Sequence, residues 1–148
     1  MANIIPNSFR GALFEANHNF KASGGNAFSL SLYVGSGSFP YTAASTVYSA
    51  TDEVSSGGGS NYAVKVLTRL GVASTTAVAS VDFDNVTWSS ATFSAAYAAI
   101  YNNSTVDGVQ NRLVVVLDFG GSKTATNGDF TITFPDPTTA SNAIISMS

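Results

Sequence analysis

His18 is the one histidine in the chain, and cysteine is absent. Any imidazole-dependent acid–base or nucleophilic mechanism would run through that ring, and thiol catalysis, disulfide stapling and thiolate metal sites are excluded. His18 lies in Asn17-His18-Asn19, at an expected helix-to-strand junction. There an imidazole buried or half-buried and hydrogen-bonded to the backbone is the plainer reading. Asp82 and Asp84 are two apart on an expected strand, so both carboxylates would project from one face and could share a cation, with Asn85 as the only nearby oxygen ligand. Solvated strand residues that discourage edge pairing would carry the same pattern. Asp52-Glu53 is a similar pair in a loop. Glycosidase chemistry needs two carboxylates across a cleft, and Asp52, Glu53, Asp82, Asp84, Asp118 and Asp129 are the candidates, but no motif selects two of them. Gly57, Gly58 and Gly59 lack the following Lys-Ser or Lys-Thr of a phosphate loop, and Gly35-Ser36-Gly37 lacks the full dinucleotide fingerprint. Tyr33, Tyr41, Tyr48 and Tyr62, if exposed, could stack on sugar rings or on a partner protein; tyrosine in a β-rich fold otherwise lines the edge of the core. The residues thus nominate no catalytic, cofactor-binding or metal-binding side chain, and the chain reads as a non-enzyme with no cofactor.

The elements that would hold these residues are mostly strands. Pro6, Asn7 and Ser8 precede Phe9, Leu13 and Phe14, whose spacing predicts a short amphipathic helix over residues 8–17, capped by Asn7 or Ser8. Phe28, Leu30 and Leu32 alternate with Ser29 and Ser31, predicting a half-buried strand with a wet serine face. Residues 42–54 read as a loop with at most a short edge strand at Thr46 to Tyr48, and residues 55–60 as a flexible glycine turn. Strands are expected from Tyr62 to Leu67, closed by Gly71, and from near Thr76 to Asp84 with a solvated acidic side. Trp88 and Phe93 bracket an expected Ser-rich turn at one end of the core. Phe93 to Tyr101 reads as a strand from its period-two aromatics, although its alanines would tolerate a helix. A polar loop over 102–110 leads to Leu113 to Leu117, whose unbroken apolar run predicts a strand buried on both faces at the centre of the fold. Gly120 and Gly121 should break it, and Asn127-Gly128 is the strongest hairpin-turn signal. Phe130 to Phe134, stopped by Pro135 and Pro137, and Ala143 to Met147 complete the set. The expected fold is mainly β: a single-domain antiparallel β-sandwich, jelly-roll or immunoglobulin-like, over residues 21–148, with an N-terminal arm or short helix over residues 1–20.

Charged residues are only 10% of the 148, against 45% hydrophobic, so Ser, Thr, Asn, Gly and Ala must supply most of the surface. Net charge is −3, and the 6 Lys and Arg are scattered singly, leaving no basic stripe for a phosphate backbone. Nucleic acid is therefore not an expected partner. No stretch approaches a spanning helix, and the first residues lack the basic and apolar segments of a secretory signal, so no membrane is expected either. A surface poor in Lys and Glu loses little solvation and side-chain entropy when covered, which suits one built to be packed against; an acidic monomer with neutral polar cover would have the same composition.

Several segments resemble a family of small virion structural proteins of tailed bacteriophages: Asn7-Ser8-Phe9 through His18-Asn19-Phe20, Ala27 through Tyr33, Val81 through Trp88, Leu117 through Gly121, and Phe130 through Pro135. The resemblance implies a particle component without an active site, located in the virion, with the head surface favoured and assembly in the host cytoplasm. Within that class the expected role is a capsid decoration or cement protein, a homotrimer packed on the major capsid protein and on copies of itself. The alternative is a tail, fibre or head-surface domain that binds a host glycan or links neck and tail parts. No functional residue transfers from the family.

Overall fold

Phe28, Leu30 and Leu32 do alternate with Ser29 and Ser31 along a strand. In the computed structural model of the chain, however, that strand, β1 (Phe28–Tyr33), is buried on both faces. The structure describes residues 2–74, 78–135 and 143–147. The expected wet face is covered because the loop after β1 folds back over it: the Ser31 hydroxyl bonds the Tyr33 phenol, which meets the Tyr41 phenol and donates to Ser49 O. Tyr33 and Tyr41 close a second small core there with Ala99, Leu113 and Val116.

Four strands form one antiparallel sheet, in the order β2 (Lys65–Leu67), β1, β5 (Val86–Asn102), β6 (Arg112–Ile132). The second sheet runs β3 (Arg69–Ser74), β4 (Ala79–Phe83), β7 (Ile145–Met147), also antiparallel. Between them Phe28, Leu30, Leu32, Trp88 and Ile100 of the first meet Phe83 and Ile145 of the second in the main core. Each such buried side chain contributes roughly 1.5–3 kcal/mol relative to exposure. The chain is thus an antiparallel β-sandwich with one short N-terminal helix.

The helix, α1 (Asn7–Phe14), is shorter than the spacing predicts. Its N-cap is Pro6, with no side-chain cap; the Ser8 hydroxyl donates instead to Ser45 O across to the loop. Phe9 and Ala12 are buried and Leu13 packs against the core, but Phe14, expected on the same face, is 94% exposed. The residues expected to form an arm are built into the sandwich. Ile4 exchanges two backbone hydrogen bonds of 2.8 Å with Val116, and Phe9 and Phe20 join the core.

β5 and β6 form one long hairpin that absorbs three features expected to be turns. Ser89 and Ser90 lie inside β5, and Ser90 takes φ 52 at a register shift. Asn127-Gly128 lies inside β6 opposite Ala91. Gly120 and Gly121 also lie inside β6, in a bulge where residues 119–122 stand opposite Ala96 alone. A glycine bulge, like a tight hairpin turn, uses positive φ, and both glycines have it. The real turn is Asp107-Gly108, both at positive φ, between the bridged Val106 and Val109.

A further register shift opposite Ile100 and Tyr101 leaves Val114 as an extra residue, so Val114 and Val115 both face the main core while Leu113 and Val116 face the second. That is why the run is apolar without alternation. β6 is nonetheless the last strand of its sheet; bridges from Ile4 and Val47 cover its outer side. The aromatic alternation of β5 also slips at its bulge: Phe93 faces the main core and Tyr97 the second. The strand expected over 62–67 pairs only from Lys65, and Gly71 sits within β3 at φ 93. Residues 57–60 do turn, with Ser60 N–H donating to Gly57 O. Val47 makes the expected short edge contact. Phe130 and Ile132 belong to the end of β6, and the final strand is Ile145–Met147. The expectations for Thr76 and Pro137 lie outside the described residues.

Candidate functional site

The acidic pairs do not act as pairs. Asp82 is buried within β4, 2% exposed, with Oδ1 accepting the Phe83 N–H, whereas Asp84 is exposed past the strand end. The solvated acidic face expected there does not form. Asn85, the nominated helper, accepts the Phe134 N–H through Oδ1 at 2.8 Å. Among the described residues no group of three or more His, Asp or Glu is placed to hold a metal ion.

Asp52 and Glu53 point into different networks. The Asp52 carboxylate braces the turn after β1, accepting the Gly35 N–H at 2.8 Å, the Ser36 N–H at 3.0 Å and the Ser36 hydroxyl. Gly35 is required beneath it: φ is +81, and a Cβ would meet the Tyr97 ring at 2.7 Å. Glu53 is gripped by two phenols, Tyr48 at one oxygen and Tyr62, at 2.6 Å, at the other. Tyr62 in turn accepts the Leu32 N–H at 3.0 Å, and Tyr48 lies 4.6 Å from the Tyr101 ring. Burial first, and the Glu53 bond second, push the Tyr48 and Tyr62 phenols far above their usual range, so they remain donors at any physiological pH. Tyr33, Tyr41 and Tyr62 are buried, which removes three of the four tyrosines considered for sugar stacking.

Asp118 and Asp129 are the two acidic candidates the fold brings to one place. Both line a groove of about 670 Å³ beside β6, with Lys123, Phe119, Phe130 and Thr131. Asp118 Oδ1 accepts the Gly120 N–H at 2.9 Å, and the Asp118 N–H donates to the Asn3 side chain at 2.8 Å.

His18 sits under α1 with Phe9 at 4.9 Å between ring centroids. Its partner is a side chain, not the backbone expected at that corner: Asn102 Nδ2 bonds Nδ1 at 3.2 Å. The same amide reaches Asn17 O at 3.3 Å and Asn26 Oδ1 at 3.0 Å, while Asn102 Oδ1 accepts the Ser104 N–H. Burial, and secondarily the Arg112 charge, lower the imidazole to about 4, so it is neutral near pH 7. Asn102 and Arg112 carry no local signature: one ends a period-two run of apolar residues and the other precedes an unbroken apolar run.

No protein-family model, no curated protein and no solved structure matches this chain. No helix among the described residues is long and apolar enough to cross a membrane.

Proposed function

We propose that this chain is a non-catalytic structural subunit of a tailed-phage particle, a decoration protein that packs as a homotrimer on the major capsid protein of the head. The observation that carries the packing role is the edge of the sandwich from Val64 to Ser74. Here β2 ends one sheet and β3 the other, and Val66, Leu70 and Val72 stand bare, Val66 at 71% and Val72 at 59% exposure. Two adjacent edge strands with exposed aliphatic side chains, whose Lys65 lies over the Trp88 ring and whose Arg69 bonds Lys21 O, form a surface suited to being covered. The phage assignment itself rests on the sequence resemblance. Stabilisation would arise from modest contacts repeated over a closed shell. Copy number in purified particles tests the reading. Hundreds of copies, with heat resistance lost when the protein is omitted, support it; about a dozen or fewer, with unchanged shells, reject it.

The groove holding Asp118, Asp129, Phe119 and Lys123 favours a second reading, a surface domain binding a host glycan, since carboxylates beside aromatic rings suit sugars. Saturable binding on a glycan array, lost on Asp129→Ala, would select it over the first.

A further inference from the structure

Asn127 is the only asparagine in the chain followed by glycine. It is exposed and takes φ 50. Its backbone N–H donates to Thr92 Oγ1 at 3.0 Å, while its carboxamide makes no hydrogen bond among the described residues. Asn17, Asn19, Asn26, Asn61, Asn85 and Asn102 are each tied through their side chains. The ladder is also interrupted on both sides of Gly128. The pair Ala91 and Gly128 stands between two register shifts: Ser89 and Ser90 lie opposite Asp129 alone, and Thr126 and Asn127 lie opposite Thr92 alone. A pair cut off in this way lacks neighbouring ladder bonds to hold it, so it opens locally at low cost. Gly128 has no Cβ to hinder the peptide as it turns.

We infer that Asn127-Gly128 is a self-modification site, where the folded chain converts Asn127 to aspartate and isoaspartate through a cyclic imide. The Gly128 nitrogen loses its proton and attacks Asn127 Cγ. The new N–Cγ bond forms as the Cγ–Nδ2 bond breaks, and ammonia leaves with the proton. Water then opens the ring at either of its two carbonyls, giving the ordinary or the iso acid. One water enters, one ammonia departs, and nothing is oxidised or reduced. Exposure at position 127 lets solvent reach the reacting atoms. The product adds one negative charge to a net of −3, two residues from Asp129 on the wall of the groove beside β6. The iso form threads an extra backbone carbon through β6 where its pairing is already broken, so the aged chain should stay folded. The inference stands apart from the proposed function, since it needs neither a particle nor a trimer.

The intact protein is aged at mildly alkaline pH, where the Gly128 N–H is more readily deprotonated, and then digested for peptide mass mapping. A parallel sample is aged in urea to give the rate of the unrestrained chain. The mass gain of an acid replacing an amide should be confined to the peptide holding Asn127, in two forms separable by chromatography, and the aged protein should elute later from an anion exchanger with its unfolding midpoint kept. Gly128→Ala is a clean control, because the added Cβ meets nothing nearer than Thr126 O at 3.8 Å. It should bring the gain at Asn127 down to the background of the other asparagines. Should that variant fail to fold, Asn127→Gln takes its place, and the later-eluting species should be lost. A gain seen in urea but not in the folded chain, a larger gain at another asparagine, or a gain undiminished in folded Gly128→Ala overturns the inference, as does a later-eluting species that persists in Asn127→Gln.

Discussion

The Asn102 carboxamide holds Asn17, His18 and Asn26 together with one NH2 group, at zero exposure. Burial first, and the Arg112 charge second, keep the imidazole beside it neutral in the folded chain, lowered to about 4, whereas in the unfolded chain it titrates near the ordinary 6.5. Above 6.5 both states hold a neutral ring and nothing is lost. As pH falls from 6.5 toward 4 the unfolded state takes up a proton that the folded state refuses, so stability declines through that window by at most about 3 kcal/mol and then levels. Urea midpoints measured at pH 7 and pH 4.5 should differ for the native chain, and the difference should shrink in His18→Gln. Glu53 gives a second residue-scale test. It accepts from Tyr48 and Tyr62, so Glu53→Ala strands two phenols and should cost about 2–3 kcal/mol in denaturant unfolding, with Glu53→Gln costing less because an amide oxygen still accepts one of them.

Among elements, the glycines separate into those the packing demands and those only the backbone demands. A Cβ on Gly25 would meet Lys21 O at 2.3 Å and Asn19 O at 2.7 Å, both main-chain atoms of the loop that Arg69 clasps. Gly120 has positive φ but open space around it. Gly25→Ala should therefore lower stability by more than about 2 kcal/mol and Gly120→Ala by only about 1, in matched urea titrations. The same distinction explains what was legible in the sequence. Alternation at Phe28 to Leu32 and the glycine and proline spacing were enough for a β-sandwich with one short helix, because period-two burial is local. Asn127-Gly128 and Gly120-Gly121 misled because the positive φ that Asn127, Gly120 and Gly121 take inside β6 is the one a hairpin turn uses, and only the pairing register separates the two. Ser29 and Ser31 read as wet because the loop that covers them comes after them in the chain, and Asp82 read as solvated for want of any local sign of its burial. For the candidate site, His18 was visible as the lone imidazole, but Arg112 and Asn102 reach it across more than eighty residues, a distance no spacing rule spans.

At the scale of the whole molecule, the surface expected to be sparse in charge leaves its barest aliphatic groups at the edge where the two sheets end together. Val66 and Val72 are exposed in the free chain, so replacing them should not disturb folding. Val66→Lys with Val72→Lys should leave the unfolding free energy within about 0.5 kcal/mol of the native value and, under the proposed decoration role, reduce cosedimentation with purified shells; undiminished cosedimentation would locate the proposed contact elsewhere.

The bridge from Ile4 to Val116 spans most of the chain, whereas β5 and β6 are joined by the residues between Asn102 and Arg112. Closing so wide a loop carries a larger entropic cost than zipping the hairpin, so the strap should dock after the rate-limiting step, on a surface already formed. Weakening it with Ile4→Gly should then leave the refolding arm of a chevron plot unmoved and raise only the unfolding arm, speeding escape from the native state. The beginning of the chain would act as a latch that sets how long the fold lasts, not how fast it arrives.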